Sequence, residues 1–130
     1  MLLLGDNDSA ANAKEMEYCI RESMDNLKTA SIFTSFESHC SGELPLKFIV
    51  EAYDFYEMLT EQFLDDMTAM MVALSCKNGK MHMRVQIGCS EKIMNLMPKS
   101  IPLHFGRFVY EIDDEDIWVN YSIAEGEYSK

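Results

Sequence analysis

With 130 residues, 48% of them hydrophobic and 25% charged, the chain has the length and composition of one globular domain, able to bury roughly two-thirds of its unfolded surface around a single core. A formal net charge of −11 repels nucleic acid phosphates and anionic lipid alike and sets both aside as partners. Cys19, Cys40, Cys76 and Cys89 form no CxxC pair and are expected to be reduced thiols of a cytoplasmic protein.

The apolar run from Met1 to Leu4 is too short for a signal-peptide core or a spanning helix. Asn7, Asp8 and Ser9 offer caps for a helix reaching to about Thr29, and Asn12 to Glu15 offers a second start. Ala13, Met16, Ile20, Met24 and Leu27 recur at spacings of three and four. They form one apolar stripe, which needs the chain's own domain or a second copy to cover it.

Ser31 to His39 is rich in β-branched and aromatic residues and reads as a strand, broken at Ser41-Gly42. Leu44-Pro45 leads into a second helix of about twenty residues, with the proline suited to its first turn. Phe48, Ile49, Ala52, Phe55, Tyr56, Leu59 and Phe63 fall on one side of that helix. Lys47, Glu51, Asp54, Glu61 and Asp65 fall on the other, with Glu57 at the border.

Next comes the sharpest local signal. Asn78-Gly79 sits between two alternating runs, and a type I′ turn needs positive φ at both central residues. The implied register faces Cys76 with Met81, Leu74 with Met83, Val72 with Val85 and Met70 with Ile87. One face is then wholly apolar, and a one-residue slip would turn all of it to water. Ser90 is placed to cap a short helix over Glu91 to Met97, stopped by Pro98, and Lys99 to His104 is expected to be irregular. Gly106 to Ile112 and Ile117 to Ile123 form a second hairpin, pairing Ile112 with Ile117, Tyr110 with Val119 and Phe108 with Tyr121. Its tip, Asp113 to Asp116, is four acids in a row without the alternating ligands and central glycine of an EF-hand loop. A solvated turn is expected there, and no metal site. The histidines His39, His82 and His104 have no nucleophile or carboxylate at a triad spacing. The total is an α+β, two-layer sandwich: about five strands in one sheet with helices on one face, preceded by an N-terminal helix.

This order, with the stretch from Tyr53 to Val85 and the terminal hairpin Gly106-Arg-Phe-Val-Tyr-Glu…Trp118-Val-Asn-Tyr-Ser-Ile, resembles the C-terminal part of a bacterial sensor histidine kinase, the ATPase domain of the histidine-kinase, gyrase and Hsp90 type. The resemblance implies an ATPase-like sandwich over residues 31–124, a tail over 125–130, and a helix over 1–30 similar to the second helix of the kinase dimerisation hairpin. It implies that the second helix presents a general base, matched by Glu57, and four residues later an Asn holding Mg²⁺, where this chain has Glu61. Asp65 stands where a His is frequent. The Asp-x-Gly-x-Gly pattern that would hold adenine is reduced to Gln86-Ile-Gly88-Cys-Ser, and the stretch Ser90 to Phe105, in place of a glycine-rich lid, contains no glycine. Such a lid cannot easily wrap phosphates with backbone N–H groups. No histidine rides a long helix to accept phosphate.

The resulting expectation is a degenerate ATPase-like domain of two-component signalling: cytoplasmic, without cofactor or catalysis, acting through a protein partner or a homodimer formed by its N-terminal helix. Two alternatives stand beside it. One is a functional ATP- and Mg²⁺-binding kinase domain using Glu57 and Glu61, and the other is an unrelated acidic α+β binding domain.

Overall fold

The computed structural model describes residues 10–90 and 103–124. The expected cap residues Asn7, Asp8 and Ser9 and the expected helix from Glu91 to Met97 lie outside them. A two-residue strand β1 (Ala10–Ala11) precedes helix α1 (Lys14–Thr29), so the helix uses the second of the two starts. Asn12 Oδ1 accepts the Lys14 N–H at 3.0 Å, satisfying one of the orphan donors of the first turn. Strand β2 (Phe33–Cys40) follows, then β3 (Leu44–Pro45) and α2 (Leu46–Phe63), which tightens into a 3-10 turn over Leu64–Asp66.

Pro45 differs from the expected first-turn placement. Its ψ of 135° keeps it extended, outside the helix, and Leu44–Pro45 pairs antiparallel with Ala10–Ala11. The two hairpins are β4 (Met67–Lys77) with β5 (Lys80–Cys89), and β6 (Arg107–Asp113) with β7 (Asp116–Ala124). Both have the register read from the sequence: Cys76 faces Met81 and Met70 faces Ile87, while Ile112 faces Ile117 and Phe108 faces Tyr121. Asn78 and Gly79 have φ of 54° and 77°, as the type I′ turn demands.

One five-stranded sheet has the order β2-β4-β5-β7-β6. β2 lies parallel to β4, from Phe33 beside Ala69 to Cys40 beside Cys76, and every other contact in the sheet is antiparallel. A parallel neighbour requires a crossover, and α2 supplies it across one face of the sheet. The side chains of α2 that the helical wheel assigns to the interior are the ones buried. Met16, Ile20, Met24 and Leu27 of α1 lie in the same core cluster, at most 5% exposed, so the chain's own sandwich covers that stripe. Ser23 Oγ and Tyr56 Oη, 2.9 Å apart, join α1 to α2.

The second hairpin departs from its expected burial in one respect. Tyr110, on the sheet's edge strand β6, is 42% exposed, whereas Phe108 and Tyr121 on the paired strands pack against Phe55 of α2.

Candidate functional site

The residues singled out by the sequence stand on the solvent side of α2. Asp54, Glu57 and Glu61 sit at i, i+3 and i+7, spacings that gather side chains on one helical face. With Met58 and Gln62 they line an open depression of about 350 Å³. All three acids are exposed. The carboxyl of Asp54 is shifted upward, first by partial burial and then by the negative charge of Glu51. Glu57 already has a partner: burial, then Glu57's charge and its hydrogen bond, raise the Tyr53 hydroxyl well above the usual tyrosine range. Asp65 is exposed in the 3-10 turn. Among the described residues no three His, Cys, Asp or Glu side chains converge on a point that could hold a metal.

At the end of β5, Gly88 is the one glycine where a nucleotide-binding pattern would run. A Cβ built there would meet Thr68 Oγ1 at 3.0 Å, Ala69 Cβ at 3.3 Å and Asp116 Oδ1 at 3.4 Å, so the glycine lets β5 run close beside its neighbouring strands. Gln86 lies beside Met71 and Trp118 on the sheet's outer face.

Sequence reasoning missed Glu51. The wheel puts it on the polar side of α2, and there it does project. Its carboxylate is not simply solvated, however. It accepts the backbone N–H groups of His104 (2.5 Å), Phe105 (3.0 Å) and Gly106 (2.7 Å) and the Tyr121 hydroxyl (3.3 Å). Consecutive amides aimed at one point make an anion-binding nest, and here an internal carboxylate fills it. Burial first, then Glu51, raises Tyr121 far above its ordinary value. Gly106 is required by the same contact, since a Cβ would come within 2.5 Å of Tyr121 Oη. The partners are 53 to 70 residues away from Glu51, and no local pattern reports a contact at that separation.

The histidines are scattered. His39 pairs with Glu37 at 3.0 Å on the exposed end of β2, His82 stands on β5 opposite Ser75 and Ser122, and His104 is exposed, held by its backbone amide.

The donors around α2 do not fit a Mg²⁺-nucleotide. The depression is lined by three carboxylates, which would add negative charge beside the nucleotide's phosphates, and the amides at 104–106 are already occupied.

Neither a family model nor a curated protein matches this chain. Solved structures do. The nucleotide-free catalytic domain of histidine kinase ThkA superposes with a TM-score of 0.56 at 11% identity, over 90% of this chain and 95% of that one. The histidine kinase domain of the blue-light activated EL346 of Erythrobacter litoralis gives a TM-score of 0.68 at 9% identity, over 97% of this chain and 67% of that one. ThkA in complex with the response regulator TrrA gives 0.64 at 11%, over 94% of this chain and 43% of that one. The α+β sandwich is therefore of one recognisable kind. It has the fold of histidine kinase catalytic domains.

Proposed function

We propose that this chain is a signal-transduction domain that retains the histidine-kinase sandwich without its nucleotide site and acts by contacting protein. The observation that carries the reading is the capture of the amides at 104–106 by Glu51. A triphosphate needs such donors free, and here a side chain of the same domain holds them. The carboxylates of Asp54, Glu57 and Glu61 support it further.

The reading takes α1 as a helix of the sandwich itself, not of a preceding dimerisation hairpin. Its stripe lies in the common core, and an isolated catalytic domain matches 90% of the chain. A partner, or a second copy, would then meet the outer side of α1, where Tyr18 is 75% exposed. Cytoplasmic two-component signalling is the setting this function implies. Among the described residues no helix is long and apolar enough to cross a membrane.

Titration of the protein with a fluorescent ATP analogue and Mg²⁺ tests the proposal. No saturable binding at micromolar concentrations is expected, and saturable binding displaced by ATP would end it. The open depression beside Glu57 is what favours the second reading, a working ATP-dependent protein-histidine kinase domain. On that reading Glu57→Ala and Glu61→Ala would each abolish nucleotide binding.

A further inference from the structure

Cys40 and Cys76 face each other in register at the ends of the parallel strands β2 and β4. Neighbouring strands lie about 4.8 Å apart, inside the Cα separation of about 4.4–6.8 Å that a disulfide requires. Both side chains point to the helix-covered face. Cys76 is 3% exposed, and Cys40 packs at the core's margin. The Ser41 N–H donates to Cys76 O at 2.9 Å and holds the two strand ends together.

The two thiols differ in access. Cys40 lines a cavity of about 340 Å³ with Asn12, Lys14, Glu17 and Gly42, at the N-terminal end of α1. Cys76 is not among its lining residues. Ser38 Oγ stands 3.7 Å from Cys40 Sγ and donates to Glu17.

We propose that Cys40 and Cys76 form a reversible redox dithiol whose oxidant is a hydroperoxide reaching Cys40 through that cavity. The Cys40 thiolate attacks the peroxide oxygen. An S–O bond forms, the O–O bond breaks, and the departing oxygen leaves as alcohol, or as water from hydrogen peroxide, after taking up a proton. Cys76 sulfur then attacks the Cys40 sulfenic acid. The S–S bond forms as the S–O bond breaks, and hydroxide leaves as water with the proton released by Cys76. Two thiols are oxidised by two electrons and one hydroperoxide is reduced. The division of roles follows the environments: the hydrogen bond from Cys76 foremost lowers Cys40 from its ordinary thiol value, while that same bond and burial raise Cys76. The thiolate is the attacking species.

The proposal is independent of whether nucleotide binds. Its test uses the wild-type chain, treated with hydrogen peroxide, alkylated and mapped by mass spectrometry without reductant. The expected result is a mass loss of about 2 Da, the two hydrogens of a disulfide, in one Cys40–Cys76 linked peptide pair that dithiothreitol reverses. Cys19 and Cys89 should remain alkylatable. In Cys76→Ser, dimedone should trap Cys40 as the sulfenic acid. Oxidation that leaves Cys40 and Cys76 unlinked in the wild type, whether as sulfinic acid, as bonds to Cys19 or Cys89, or as no modification at all, overturns it.

Discussion

Glu51 holds a segment far away in sequence to the helix from which it projects, and four donors depend on it. Hydrogen bonds to a charged group contribute more than neutral ones, and removing the acceptor leaves its donors unpaired. Glu51→Ala is expected to cost on the order of 2 kcal/mol in urea unfolding, and Glu51→Gln less, because the amide oxygen still accepts. An unchanged midpoint in both would mean that the carboxylate is exchangeable with water. Cys89 makes a second prediction at the same scale. Burial first, then Asp66 and Asp116, raise its thiol from 9.0 to about 11. An acid whose folded pKa is raised gives stability that is complete below the unfolded value and lost above it. The urea midpoint should therefore fall between about pH 9 and 11, and more gently in Cys89→Ala over that window. The buried Tyr121 and Tyr56 hydroxyls, raised in the same sense by burial, extend the decline to higher pH.

Among the elements, those read best from the sequence were the hairpins and the buried faces of both helices. Turn chemistry at Asn78-Gly79 and the alternation of Met81, Met83, Val85 and Ile87 select one register by separate routes. Helical spacing likewise suffices for α2, whose seven buried side chains are those a wheel selects. Pro45 and the β1–β3 pair were not legible, because a two-residue bridge has too few side chains to show a period. The end of α1 carries a feature that composition hides. The N–H of Ile32 bonds Leu27 O at 3.1 Å and that of Ser31 bonds Lys28 O at 2.9 Å, the two contacts of a Schellman motif, with Leu27 and Ile32 both buried. The position that prefers glycine is Ser31, at φ 66°. A non-glycine residue in the left-handed region costs about 1 kcal/mol, so Ser31→Gly is expected to raise stability by roughly that amount at unchanged m-value. A loss would show that the serine hydroxyl contributes more than its backbone strain removes.

For the whole molecule, charge is the governing property. A net −11 on 130 residues opposes compaction, and added salt screens that repulsion. Raising NaCl from low to physiological strength is expected to add about 1 kcal/mol, or roughly 3–5 °C in Tm at this size. The same experiment with MgCl₂ at matched ionic strength separates screening from a site. If Asp54, Glu57 and Glu61 act only as part of the acidic surface around their depression, the two salts should give nearly the same Tm. A specific site at ten times its dissociation constant would add about 1.4 kcal/mol more for Mg²⁺, and that excess should vanish in a Glu57→Ala, Glu61→Ala double variant. Equal curves would show carboxylates that are present together without acting together. That is the condition under which the domain can keep its fold, since the core holding α1, α2 and the sheet in place includes none of Asp54, Glu57 and Glu61.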